Sequence, residues 1–180
     1  MNQSKIVTRY AKAAFEFALE KNEHVRLHDD IKSLSKVLIH NHNLSEYLNN
    51  TVINNTKKIH TVETIFADAF STLTMDFIRL VINNDRESYI PAMCRHIEKL
   101  FKQHENIHSL KLCLAHELDA NVKQKISDAV KQALNANSIE MEESIDENII
   151  GGFILKTEEF MYDASLKKQL VRIKNSLIDI

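Results

Sequence analysis

The amino-acid sequence predicts an α+β protein, with an N-terminal six-helix bundle followed by a small C-terminal α/β domain. Two observations predict this division. Apolar residues recur at helical spacing as far as Phe101, and short polar breaks separate the stripes. After Asn106 apolar residues alternate with polar ones, which is typical of half-buried strands. We therefore expect a helical domain over residues 1–105 and an α/β domain over residues 106–180.

The composition indicates a helical protein without a strong electrostatic field. The 180 residues carry a formal net charge of −2, so no global basic field favours nucleic acid. Two glycines and one proline predict long uninterrupted helices. Cys94 and Cys113 lack metal or redox spacing and indicate reduced thiols. No apolar run reaches the roughly 20 residues that span a bilayer, and no signal core is present, so we expect a soluble intracellular protein.

The first helix is expected to start at Ser4 and to carry a wide apolar stripe rich in small residues. One side holds Ile6, Tyr10, Ala13 and Phe17, and beside it lie Val7, Ala14 and Ala18. Small residues let a second helix approach closely. The stripe is therefore either core or a groove left partly open for a partner helix.

Five further helices are predicted from apolar stripes between polar breaks. Their positions are His24–Ile39, Leu44–Leu48, a helix that follows Asn54, a helix capped by Ser71 or Thr72, and a helix with Pro91 in its first turn. The inward residues expected for the second helix are Val25, Ile31, Leu34 and Leu38. Those expected for the fifth helix are Leu73, Phe77, Leu80 and Val81.

The sequence after Asn106 predicts the element order β-α-β-β-β-α. Leu110, Leu112 and Leu114 alternate with polar residues in a first strand, and Ile139 and Met141 do so in a second. Between these strands Asp119 is expected to cap a helix that runs to about Ala133. A hairpin and a final helix complete the unit.

The only two glycines of the chain, Gly151 and Gly152, stand side by side in an apolar run. Such a pair marks a bulge, a sharp bend or a close backbone approach, because glycine has no Cβ. The polar residues after Lys156 predict a tight turn. Asp163 is then expected to cap the final helix, whose apolar stripe is Leu166, Leu170, Ile173 and Leu177.

Nothing in the sequence assembles a nucleophile, a base and an oxyanion donor. His24 and His28, and His104 and His108, have metal-ligand spacing, but surface histidines explain such two-residue motifs better. The glycine pair lacks phosphate-loop spacing. The basic residues of the last helix are a solvated face or a contact for an acidic partner; they are Lys167, Lys168, Arg172 and Lys174. A binding or scaffold protein is favoured over an enzyme.

Three stretches resemble the δ subunit of bacterial F-type ATP synthase, the homologue of the mitochondrial oligomycin-sensitivity-conferring protein. The strongest runs from Asp146 through Gly151-Gly152 to Asp163-Ala164-Ser165, similar to the family's Asp-x-x-Ile/Leu-x-Gly-Gly and Asp-x-Ser. The second is Arg-Tyr-Ala-Lys-Ala-Ala-Phe at 9–15, and the third spans 77–91. Asn84-Asp85 stands where the family usually has a glycine, and residues 112–117 depart from its Val-Thr-Ser-Ala.

The resemblance implies a stator subunit without catalytic residues or cofactor. The helical domain would bind the N-terminal helix of an α subunit through its first and fifth helices. By position these contacts would be Tyr10, Ala14, Phe17, Phe77 and Val81. The C-terminal domain would hold the C-terminal end of the b subunit of the peripheral stalk. The protein would then lie at the cytoplasmic face of the bacterial inner membrane, held there only through the complex.

Two other classes of function stay open at this point. A cytoplasmic adaptor would bind RNA or a nucleotide through the α/β domain, although its strands offer few aromatics and have Glu140, Glu142 and Glu143 nearby. A metal-dependent enzyme would use the histidine pairs. Salt-sensitive RNA binding would favour the adaptor, and a near-stoichiometric metal would favour the enzyme.

Overall fold

The computed structural model describes residues 3–115, 119–146, 149–157, 160–168 and 170. The chain divides into two compact units, Met1–Lys102 and Gln103–Ile180. The α+β class is confirmed, because the first unit is helical and a four-stranded sheet lies in the second. Among the helices of the described residues, none is long and apolar enough to cross a membrane.

Six α-helices and one 3-10 helix cover the chain up to His104. They are α1 (Gln3–Glu20), α2 (His24–His40), α3 (His42–Asn49), α4 (Asn55–Phe66), α5 (Thr72–Asn83), the 3-10 helix (Glu87–Tyr89) and α6 (Ile90–His104). The sequence does not predict the 3-10 helix. The expected count of six helices is therefore not confirmed for this part of the described chain.

Short polar side chains start three of these helices. Asn41 caps α3 by accepting a hydrogen bond from the Leu44 N–H, and Asn54 caps α4 by accepting one from Thr56. Ser71, rather than Thr72, caps α5. The expected cap at Ser4 is wrong, because α1 already begins at Gln3.

Asparagine and aspartate end three helices in the left-handed conformation that usually selects glycine. The φ angles of Asn22, Asp85 and Asn135 are 57°, 54° and 50°. Each is followed by a backbone hydrogen bond that spans five residues, such as Arg86 N–H to the Val81 carbonyl at 3.0 Å. The scarcity of glycine therefore does not produce long uninterrupted helices, because α1–α6 span only 8 to 18 residues.

The core of the first unit is formed mainly by the inward sides of α2, α5 and α6. Its fully buried side chains include Leu27, Ile31, Ile78, Val81, Ile82, Met93 and Ile97. Val25 and Leu80 were expected to point inward, but both are about half exposed. Helical spacing identified the helices, and it assigned these two side chains to the wrong side.

Two buried charged groups connect elements of the first unit. The Asp30 carboxylate of α2 accepts hydrogen bonds from the Ser71 N–H and the Thr74 hydroxyl, both at 2.8 Å, at the start of α5. The Lys58 ammonium of α4 pairs with the Glu87 carboxylate of the 3-10 helix. Because unpaired buried charges are costly, these bonds fix α2 to α5 and α4 to the 3-10 helix.

The second unit contains a four-stranded sheet and the helix α7 (Ala120–Leu134). Its strands are β1 (Ile107–Leu114), β2 (Ser138–Ile145), β3 (Phe153–Lys156) and β4 (Met161–Asp163). The sheet order is β2-β1-β3-β4, with β1 parallel to β2 and the other two pairs antiparallel. The predicted order from the first strand to the fourth is confirmed, as is the cap at Asp119, whose side chain accepts from the Asn121 N–H.

One face of this sheet packs against α7. Leu110, Leu112 and Leu114 of β1 are buried with Val130 of α7 and Leu155 of β3. The alternation in the sequence predicts this face, because side chains along a strand point to opposite sides in turn. Most of the expected final helix, including Ile173 and Leu177, lies outside the described residues.

Candidate functional site

An apolar groove lies between α1 and α5 in the first unit. It encloses about 490 Å³, and its lining is mainly apolar. The lining residues of α1 are Arg9, Tyr10, Ala13, Ala14 and Phe17, and those of α5 are Leu73, Asp76, Phe77 and Leu80. A groove of this shape between two helices fits the apolar face of a third.

The structure brings four of the five sequence-predicted contact residues together in this groove. Tyr10, Ala14 and Phe17 line it from α1 and Phe77 from α5. Val81 is fully buried and does not line it. Whether the four residues contact a partner stays a prediction.

Sequence reasoning missed Leu80 as a groove residue. Its side chain is 53% exposed, and Phe17 on the opposite helix is 51% exposed. Leu80 follows Phe77 by three residues, so the two share a face of α5, and that spacing was the available signal. Exposed large apolar side chains on facing helices are what an unfilled helix-binding groove presents to solvent.

Two hydrogen-bonded arginines hold the elements around the groove. Arg79 of α5 donates to Glu63 of α4 at 2.8 Å and to Asp76 at 2.8 Å. The hydrogen bond to Glu63, and after it the one to Asp76, raise the pKa of Arg79. Arg26 of α2 donates to the Ala69 carbonyl at 2.6 Å, just before α5. Arg9 and Asp76 are the two charged residues in an otherwise mainly apolar lining.

Four of the predicted motif residues of the second unit form one backbone junction: Gly151, Gly152, Asp163 and Ser165. Gly152 has a φ of 80°, and a Cβ there would lie 2.3 Å from the Ala164 carbonyl oxygen. The Gly151 carbonyl accepts a hydrogen bond from the Leu166 N–H at 2.9 Å. The segment at Gly151-Gly152 therefore crosses directly against the segment at Asp163–Leu166, and a side chain at Gly152 would prevent this approach.

The polar members of the motif hold the same junction. Ser165 is buried, and its hydroxyl accepts from the Lys168 N–H at 3.2 Å. Asp163 accepts from the Ser165 N–H at 2.9 Å. The expected cap at Asp163 is therefore wrong: Ser165 accepts from the helical N–H, while Asp163 forms the turn before it. The Asp146 N–H donates to the Leu114 carbonyl at 2.8 Å, beyond the end of β2.

The second unit also exposes apolar side chains around this junction and at the edge strand β4. All are at least 39% exposed: Ile145, Ile150, Phe160, Met161, Tyr162, Leu166 and Leu170. Scattered apolar residues are ordinary on a surface, but a group of this kind marks a candidate interface.

Two other candidate groups, His28 and Cys94, occupy structural positions. His28, expected at the surface, is buried and stacks on Phe101 with ring centroids 3.9 Å apart. Burial raises the pKa of the Cys94 thiol from 9.0 to about 12, which makes it a poor nucleophile at neutral pH. The outward face of the sheet pairs charges, as in Lys111 with Glu142 at 3.1 Å, and does not present a purely basic surface in the described strands.

Comparison with known proteins identifies the relatives of this chain. The family model described as ATP synthase delta (OSCP) subunit matches residues 6–177. The ATP synthase subunit delta of Latilactobacillus sakei subsp. sakei is 32% identical over 170 residues, covering 94% of each chain. That of Christiangramia forsetii is 30% identical and covers 99% of this chain and 96% of the relative.

A solved structure shares the fold. A chain in the cryo-EM structure of the Toxoplasma gondii mitochondrial ATP synthase hexamer matches with a TM-score of 0.73. The match covers 96% of this chain and 97% of that chain, at 17% sequence identity. Likeness at this identity establishes a common fold.

Proposed function

Because this chain belongs to the ATP synthase delta (OSCP) subunit family, a structural subunit that is not itself catalytic, we propose that it is a stator that links the catalytic head to the peripheral stalk. The link holds the head against the torque of the rotor, so that proton flow drives ATP synthesis. The groove between α1 and α5 carries this proposal, because a stator needs binding surfaces for other chains and no reacting groups.

The occupant we propose for the groove is the N-terminal helix of an α subunit. An amphipathic helix can place apolar side chains at the positions that Ala13 and Ala14 leave open. Phe17 and Leu80 would lose their exposure to water on binding. Full burial of a side chain of this size contributes roughly 1.5–3 kcal/mol. Because Phe17 and Leu80 are each already about half buried, about half of that remains to be gained on binding, before the costs of association.

We further propose that the second unit binds the C-terminal end of the b subunit. The exposed apolar group that includes Ile150, Met161 and Tyr162 supports this assignment. The chain would then sit on the cytoplasmic face of the bacterial inner membrane and reach it only through the complex, without nucleic acid or cofactor.

Isothermal titration calorimetry of the full chain with a peptide from the α-subunit N-terminus tests the groove assignment. We expect a one-to-one complex with a negative heat-capacity change, because apolar surface is buried. The substitution Ala14→Arg should abolish binding by placing a long charged side chain in the groove. Ala67→Arg, at an exposed position at the end of α4, is the matched control and should bind normally.

A peptide that binds wild type and Ala14→Arg equally well would show that the groove is not its site. Absence of heat for every α-subunit peptide, in a sample whose circular dichroism is native, would remove the proposed partner altogether.

A further inference from the structure

A second, polar cleft lies in the first unit, lined from the α3–α4 connection, α4 and the turn after α5. It encloses about 350 Å³, and its lining includes Asn49, Asn55, Lys58, Asp85, Glu87 and Ser88. Asn55 donates to the Asp85 carboxylate at 2.8 Å across it. Its lining shares no residue with the apolar groove.

The cleft is built around the buried ion pair of Lys58 and Glu87. Lys58 is 1% exposed and Glu87 is 9% exposed. The ammonium donates to one carboxylate oxygen, Oε1. The other oxygen, Oε2, is buried and accepts no hydrogen bond from any described residue. A buried carboxylate oxygen without a donor is costly, and Glu87 lines the cleft, so a donor group bound there would offset this cost.

The charges of the cleft specify the kind of donor. An ionised carboxylate can only accept hydrogen bonds. The lining contains two carboxylates, Asp85 and Glu87, and a single ammonium, Lys58, so the cleft has one negative charge in excess. An anion is therefore disfavoured. A divalent metal ion is also disfavoured, because the Lys58 ammonium already holds the Glu87 carboxylate.

We propose that this cleft binds a guanidinium group. A guanidinium is planar, remains charged and carries five N–H donors in a fixed fork. It can donate to Glu87 Oε2 and still have donors for the Asp85 carboxylate and the side-chain oxygen of Asn49. The group belongs either to a free small molecule or to an arginine side chain of a partner subunit.

Titration of the full chain with L-arginine amide, followed by backbone amide NMR, tests the proposal. We expect saturable shifts at Asn49, Asn55 and Ser88, with a dissociation constant of about 1 mM or tighter. Magnesium ion and inorganic phosphate, titrated separately, should leave these amides unchanged. If no saturable shift appears with L-arginine amide, or if magnesium or phosphate produces one instead, the proposal is wrong.

Two variants locate the binding. Asp85→Asn keeps the left-handed backbone, which asparagine tolerates, and should weaken binding about threefold to fivefold by removing one surface charge. Asp68→Asn removes an exposed charge elsewhere and should have no effect. The double variant Lys58→Met/Glu87→Gln removes the ion pair without leaving a lone charge, and it should abolish binding while its spectrum remains that of a folded protein. Unchanged affinity in Asp85→Asn or in the double variant would overturn the proposal.

The same titration of the assembled complex distinguishes the two sources. If the complex no longer binds L-arginine amide, a partner's arginine fills the cleft. If it binds with unchanged affinity, the natural ligand is a free guanidinium compound. Failure of α-subunit peptides to bind the apolar groove would leave this result standing, because the two sites share no lining residue.

Discussion

Left-handed backbone positions show how single residues shape this chain. Asn22, Asp85, Asn106 and Asn135 all have positive φ, and asparagine and aspartate tolerate this conformation better than other residues with a Cβ. The pair Asn84-Asp85 stands where the δ-subunit family usually has a glycine, and Asp85 is the member with positive φ. The turn is nevertheless formed, with the Asp85 N–H bonded to the Ile82 carbonyl at 3.0 Å. The family's glycine therefore marks a backbone requirement that aspartate also meets.

Ile150 is the exception among these positions, because it is β-branched and has a φ of 66°. A side chain of this type in the left-handed region is strained. We expect Ile150→Asn to raise the free energy of unfolding by about 1 kcal/mol, measured by urea denaturation. Ile145→Asn, at a similarly exposed isoleucine in β2, should give no such gain. A loss of stability in Ile150→Asn would show that the position is not strained.

The Cys94 thiol predicts a dependence of stability on alkaline pH. Burial raises its pKa in the folded protein to about 12, above the ordinary value of 9.0. The unfolded chain therefore loses this proton first, and the stability is fully present below pH 9 and falls as pH rises from 9 towards 12. Urea midpoints at pH 8 and pH 10.5 should differ more for wild type than for Cys94→Ala. Equal differences would contradict the pKa assignment.

At the scale of elements, the sequence predicts the secondary structure better than it predicts which side of each helix is buried. Two stripes of α1 have the same helical spacing: Ala11, Phe15 and Ala18 are core, while Tyr10, Ala14 and Phe17 line the groove. Periodicity alone cannot separate them, because the difference depends on where other helices pack. The buried pair Lys58–Glu87 is hidden for the same reason, since lysine and glutamate are usually exposed.

The close approach of Gly151-Gly152 to the segment 163–166 gives a prediction at the scale of elements. Gly152→Ala should destabilise the second unit by about 3 kcal/mol, because it strains a positive φ and places a Cβ against a backbone carbonyl. Gly151→Ala should cost much less, since its Cβ would meet only the movable end of the Leu166 side chain, 2.6 Å away. Thermal unfolding followed by circular dichroism measures both. Equal costs would show that the close approach at Gly152 does not decide the junction.

At the scale of the whole molecule, the two units present different kinds of binding surface. The first unit has an apolar groove between α1 and α5. Asp30 anchors the α5 wall of this groove through its hydrogen bonds to Ser71 and Thr74 at the start of α5. The second exposes apolar side chains around the glycine junction and at β4. The sequence motifs led to the family and to four of the groove residues. They did not lead to the polar cleft, because it depends on contacts between elements distant in sequence.

In the proposed stator, the groove between α1 and α5 transmits force between the head and the stalk and takes no part in chemistry. Complexes reconstituted into vesicles with Ala14→Arg test this role most directly. We predict that proton-driven ATP synthesis falls more than about tenfold relative to Ala67→Arg, because a charged side chain would be buried in the interface. ATP hydrolysis by the head should continue at the rate seen with Ala67→Arg. Undiminished ATP synthesis with a correctly folded Ala14→Arg protein would contradict the account.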